Sequence, residues 1–154
     1  MGMFSAFDIN ATGMTAERYR MDVISENVAN ATTTRTADGT PYRRKVVSFA
    51  EKNGERQTTF SHVLKQAGHT HYKTENVGTG VKVSGLYQDY TTEMNMVYDP
   101  SHPDADENGY VLYPNVNIIT EMTNMIDASR AYEANATAFS ASKSIALKGL
   151  ELGS

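Results

Sequence analysis

The chain has 154 residues and no cysteine, and its 14 Lys and Arg stand against 18 Asp and Glu for a net charge of −4. That length fits one domain or two small ones, and the missing thiols exclude disulfides and cysteine chemistry. The weakly acidic balance gives no field that would hold nucleic acid or an anionic membrane. No window reaches the roughly 20 apolar residues of a membrane span. The opening MGMFSAFDINATGM lacks the basic and apolar regions of a secretory signal, so any export is expected to use a route without a cleavable signal peptide.

Residues 5–30 predict an amphipathic helix. Ser5 with Asp8 resembles a capping box with Asp in place of Glu, and Phe7, Ala11, Met14, Met21, Ile24 and Val28 recur at helical spacing. Arg18 and Gly13 interrupt this seam, and Gly costs about 1 kcal/mol relative to Ala in a helix, so the helix needs a partner. Asn27-Val-Ala-Asn30 sets two amides on one face, where they cap terminal carbonyls or bind a neighbouring backbone.

The grammar then changes. Residues 31–42, ATTTRTADGTPY, read as loop and turn, and 43–49 as a strand centred on Val46 and Val47. Its basic start, Arg43-Arg44-Lys45, reads as a solvated strand end in preference to a dock for an acidic partner. Asn53-Gly54 predicts a hairpin turn into a strand at 57–60. Residues 61–77 read as a polar loop, 78–87 as a strand continuing toward Tyr90, and 110–113 as another strand.

Chemistry finds no foothold in these segments. His69 and His71, with His62 and His102, lack the cysteines or carboxylates that would make a metal site. The run Asp104-Ala-Asp106-Glu-Asn108-Gly109 matches the first six positions of a calcium loop, but the closing Glu is replaced by Asn115 after Pro114. It reads as an Asx-rich surface turn. No nucleophile, base and orienter assemble, and the glycines form no phosphate cradle. No catalytic residue, cofactor or metal is expected.

Residues 117–150 predict the dominant element. Ile118, Met122, Met125, Ser129, Tyr132, Ala136 and Phe139, with Lys143 as the exception and then Ala146 and Leu150, form a heptad seam. Such a helix is about 50 Å long, against a radius of gyration of about 15 Å for a compact globule of this size. The expected fold is α+β: long terminal helices paired as an antiparallel coiled coil, with a small β-rich middle domain and an extended loop. The expected divisions are 1–32, 33–114 and 115–154. Met14, Met21, Met122 and Met125 on the two stripes read as core filling.

The segments 21–33 (MDVISENVANATT), 36–45 (TADGTPYRRK), 97–110 (VYDPSHPDADENGY), 114–117 (PNVN) and 121–135, which ends in SRAYEAN, together resemble the bacterial flagellar rod and hook axial proteins. The resemblance covers both ends and much of the middle. It implies a structural subunit of the proximal rod, whose terminal helices pack with other copies and with neighbouring rod subunits to form a torque-transmitting drive shaft around an export channel. It further implies type III export, with the export apparatus and rod cap as assembly partners, and a place in the basal body where the rod crosses the periplasm. The expected packing positions are Phe7, Met14, Met21, Ile118, Met122, Met125, Tyr132 and Phe139. Asn27, Asn30 and Asn135 are the expected polar contacts fixing register, and Arg130, Glu133 and Lys143 are candidates for intersubunit ion pairs. The alternative is a secreted calcium-binding or adhesin-like module built on the turn from Asp104 to Asn108.

Overall fold

The computed structural model describes residues 5–52 and 78–152. Two helices frame four short strands in the order α1 (Ser5–Ala29), β1 (Lys45–Glu51), β2 (Val81–Gln88), β3 (Asn95–Tyr98), β4 (Tyr110–Tyr113) and α2 (Ile118–Glu151). No helix among the described residues is long and apolar enough to cross a membrane.

Side-chain caps set the helix boundaries. At the end of α1, the Asn30 carboxamide donates to the Glu26 carbonyl at 2.9 Å and accepts from the Thr33 hydroxyl at 3.1 Å. One amide thus satisfies a terminal carbonyl and anchors the turn that follows. At the start of α2, Asn117 accepts from the Ile119 and Thr120 amides at 3.0 and 3.2 Å, as an N-cap residue does.

Side by side, the helices meet at residues whose numbers fall along α2 as they rise along α1. Phe7 meets Phe139 edge to face at 5.0 Å, Gly13 lies against Asn135, and Asn27 bonds to Glu121. Gly13 is therefore more than an interruption of a seam. A Cβ there would stand 2.8 Å from the Asn135 carboxamide oxygen, so its missing side chain is what lets the backbones approach. Arg18 and Lys143, placed on the seam by periodicity, are exposed.

The face of α2 turned to α1 also differs from the predicted heptad. Glu121 and Ala128 are buried, with half-buried Asn135 continuing the line seven residues on, whereas Ile118 and Met122 are exposed. Two stripes run next to each other on this part of the helix. The small and polar one permits close packing, and the bulky one, Ile118, Ile119, Met122 and Ile126, is turned outward.

β1 and β2 pair antiparallel from Lys45↔Gln88 to Glu51↔Val81, with a bulge between Ser48 and Phe49. This sheet is tied to α1 through Thr12, whose hydroxyl accepts from the Val81 amide at 3.1 Å and donates to the Ile9 carbonyl at 2.8 Å. Gly80, at φ 118, approaches so closely that a Cβ would overlap the same hydroxyl. The predicted Asn53-Gly54 turn, the strand at 57–60 and the loop with His62, His69 and His71 lie outside the described residues.

β3, unforeseen in the sequence, pairs with β4 from Asn95↔Tyr113 to Tyr98↔Tyr110. Directly paired residues share a face, so Val97 and buried Val111 lie on one side and Met96, Leu112, Tyr98 and Tyr110 on the other, all four exposed. The connecting turn uses its carboxylates internally. Asp106 accepts from the Asn108 and Tyr110 amides at 2.9 and 2.8 Å. Asp104 accepts from the Thr34 hydroxyl at 2.8 Å with Arg35 at 3.6 Å, which joins this turn to the 31–42 loop.

Candidate functional site

Where α1, β1 and α2 converge, the chain builds a buried polar joint. Asn27, in the last turn of α1 and 1% exposed, satisfies its whole carboxamide there. Its oxygen accepts from the Lys45 amide at 2.9 Å and from the Tyr42 hydroxyl at 2.8 Å. Its nitrogen donates to the Lys45 carbonyl at 2.8 Å and to Glu121 Oε2 at 3.0 Å. A primary amide has two donor hydrogens and two acceptor lone pairs, so none of its capacity is left over. Burial, then the negative charges of Glu26 and Glu121, push the Tyr42 phenol from its ordinary 10.0 up to about 12.

Glu121, the carboxylate of this joint, is also 1% exposed. Arg44 meets its Oε1 with Nε and with Nη2, each at 2.8 Å. Asn115 holds the residue just before β1, accepting from the Arg44 amide at 2.9 Å and donating to the carbonyls of Asp89 and Thr92 at 2.9 and 3.2 Å. Beyond it, hydrogen bonds from the Thr91 and Thr92 hydroxyls hold the Asp89 carboxyl well below the usual carboxylate range. Lys45 reaches Glu26, and Arg43 stacks over the Tyr90 ring at 4.5 Å. The basic triple read as a solvated strand end is thus engaged at every position. A carboxylate delivered by α2, 77 positions away, turns Arg44 into an internal tie.

Comparison with known proteins places the chain in a lineage. A family model described as flagella basal body rod protein matches residues 7–35, and one described as the C-terminal part of flagellar basal body rod FlgEFG proteins matches 107–152. The flagellar basal-body rod protein FlgC of Borreliella burgdorferi is 44% identical, over 94% of this chain and 93% of that protein. The proteins of the same name from Bacillus subtilis and Salmonella typhimurium are 40% and 36% identical, each over 99% of both chains. The chain belongs to the FlgC family of flagellar basal-body rod proteins. It is a structural rod subunit and not an enzyme, and nothing favours the calcium-binding alternative.

Within this FlgC-family chain the expected packing residues divide into two groups. Phe7, Met14, Met21, Tyr132, Asn135 and Phe139 are half-buried on the helices. Of these, Phe7 and Phe139 contact each other, and Asn135 packs against Gly13 while donating to the Ala131 carbonyl of its own helix at 2.9 Å. Asn27 and Asn30 bond within the same chain, Asn30 to the Glu26 carbonyl and Thr33 nearby and Asn27 to the more distant Tyr42, Lys45 and Glu121. The second group faces outward: Ile118 and Met122 are exposed, and Met125 lines a groove with Met122, Ile126, Ser25, Val28 and Ala29. Arg130, Glu133 and Lys143 are exposed and make no ion pair among the described residues. The sequence reading did not anticipate the joint's Tyr42, Arg44, Asn115 and Glu121. The available signal was an acidic residue, Glu121, beside a run of apolar ones.

Proposed function

We propose that the chain is a subunit of the proximal rod that polymerises through its terminal helices, paired as an antiparallel coiled coil, around an export channel. In this reading residues 1–32 and 115–154 form the inner, assembling part, and 33–114 form an outer β-rich part. Other copies and neighbouring rod subunits are the lasting partners. The export apparatus and rod cap act during assembly, and the chain leaves the cytoplasm by type III export without a cleavable signal to reach the rod where it crosses the periplasm. Torque passes from subunit to subunit through packed helices, with no turnover.

The observation that carries this reading is the bulky stripe of α2 left open beside the helix pair, with Ile119 78% and Met122 58% exposed. Burying a large apolar side chain contributes about 1.5–3 kcal/mol, so a row of them left in water favours association wherever a matching helix is available. The polar joint suits the same role, because it ties β1 to both helices and gives a load on the outer part a path to the inner one. The test is Met122→Asp combined with Ile126→Asp, in a strain lacking its own FlgC-family protein. These surface changes leave the helix-facing side untouched, so stable expression with loss of swimming and of hook–basal bodies is expected. A motile strain would remove the helix packing from this account.

A further inference from the structure

Away from the helices, the two strand pairs present exposed faces of opposite charge. On β3 and β4, Met96, Tyr98, Tyr110 and Leu112 share one face and are all exposed, Tyr98 at 64%. The Tyr98 and Tyr110 rings meet edge to face at 5.2 Å, and Tyr98 is backed by Gly109, where a Cβ would stand 3.0 Å from its ring. The row is therefore fixed from behind and open in front, as an association surface is. The turn at its end, residues 99–109, holds Asp99, Asp104, Asp106 and Glu107 and no Lys or Arg. Only Asp104 among them has an Arg or Lys partner among the described residues, Arg35 at 3.6 Å. Hydrogen bonds from the Ser101 hydroxyl and amide hold the Asp99 carboxyl below the usual carboxylate range, so this turn keeps its negative charge.

On β1 and β2, the direct pairs Val46↔Tyr87, Ser48↔Gly85 and Ala50↔Lys82 put these six residues on one face. Tyr87, 58% exposed, folds the hydroxyl end of its ring over Gly85, where a Cβ would come within 2.8 Å of it. The glycine gives the ring a seat on the sheet and leaves its other side open. Lys82 stands on this face and Lys52 follows the end of β1, both exposed. Neither lysine makes an ion pair among the described residues.

We propose that the tyrosine face of the β3–β4 hairpin in one copy lies against the Tyr87 and Lys82 face of the β1–β2 sheet in the copy beside it. This rests on the reading of the chain as a polymerising rod subunit, but it is a side-to-side contact of the strands and uses no helix. The occupant is another copy because one chain carries both halves, each an exposed tyrosine row, one bordered by Asp99, Asp106 and Glu107 and the other by Lys52 and Lys82. The rings supply the area buried. Exposed ion pairs add little strength, so the charges act by fixing register and by rejecting like faces, which would set carboxylate against carboxylate or lysine against lysine. The two copies use different surfaces, so the contact leads on to a further copy, round a ring or along a helical row, and does not close as a two-fold dimer.

The absence of cysteine from the chain makes the test clean. The double variant Lys82→Cys/Glu107→Cys and the two single variants are expressed in a strain lacking its own copy, and isolated basal bodies are treated with a short bismaleimide. Both side chains are exposed and make no ion pair among the described residues, so the fold is kept. Dimers and higher species from the double variant, with none from either single variant, are the expected result. Cross-linking of a single variant to itself would show like faces meeting and overturn the proposal. So would a double variant that stays monomeric, or that joins only a chain of different mass, in basal bodies of swimming cells. If the double-cysteine chain does not enter basal bodies, charge reversal decides: Lys82→Glu is expected to lose swimming and Lys82→Glu/Glu107→Lys to regain it. Equal swimming by those two variants would overturn the pairing. Absence of the unmodified chain from basal bodies would instead defeat the rod assignment, a separate result.

Discussion

The Asn27 carboxamide bonds to both backbone groups of Lys45, accepting from its N–H at 2.9 Å and donating to its C=O at 2.8 Å. A helix side chain thereby stands where a neighbouring strand would, at the first residue of β1. Asn27→Asp keeps the shape and the acceptors but loses both donors, and it sets a second carboxylate beside buried Glu121. It is expected to cost more than Asn27→Ala, about 3 kcal/mol or above against about 2 kcal/mol. Urea unfolding of the two variants checks this, and a milder loss for the aspartate would mean that the donor bonds contribute little.

Arg44 and Glu121 are unequally buried, at 26% and 1% side-chain exposure. Removing Arg44 leaves a charge inside the protein, whereas removing Glu121 leaves a guanidinium with partial access to water and to Asp89. Arg44→Ala is therefore expected to destabilise by about 3–5 kcal/mol and Glu121→Ala by less. A double-mutant cycle between them should give a coupling above about 1 kcal/mol. Additive effects would show that the pair does not act as a unit.

Glycine to alanine in a helix interior ordinarily stabilises by about 0.5–1 kcal/mol. At Gly13 the sign is expected to reverse, because the new methyl would meet the Asn135 carboxamide at 2.8 Å. Restoring space with Asn135→Ala should recover the ordinary gain, so the double variant melts above Asn135→Ala alone. Stabilisation by Gly13→Ala in the otherwise unchanged chain would contradict the close approach of the helices there.

Tyr42 holds its proton to about pH 12 in the fold and releases it near its ordinary 10.0 when unfolded. A raised folded-state pKa contributes stability that is complete below pH 10 and is lost as pH rises toward 12. Tyr42→Phe gives up the hydrogen bond to Asn27 but cannot ionise. The stability advantage of the unchanged chain over this variant is expected to narrow across pH 10 to 12. Denaturant midpoints measured at intervals over that window check it, and a constant difference would place the phenol in a solvated setting.

Local patterns carried the elements furthest. The helical period and its polar stops marked α1 and α2 to within a residue at each end, because capping by Asn30 and Asn117 involves only near neighbours. The 31–42 loop, β1, β2 and β4 were legible for the same reason. β3 was not, since four residues with exposed Met96, Val97 and Tyr98 make no pattern until Tyr110–Tyr113 pairs with them.

By itself, the sequence determined two long terminal helices, a β-containing middle without catalytic apparatus, and membership of a rod-protein family. Tertiary structure alone decided which stripe of α2 turns inward and what the polar residues do. A helix with two neighbouring stripes has no intrinsic reason to bury either one. The choice falls to the partner surface, where Gly13 makes room for Asn135 and where Asn27 and Arg44, 94 and 77 positions from Glu121, make a buried carboxylate tolerable. With the polar stripe satisfied inside, the apolar one is left on the outside, available to another chain.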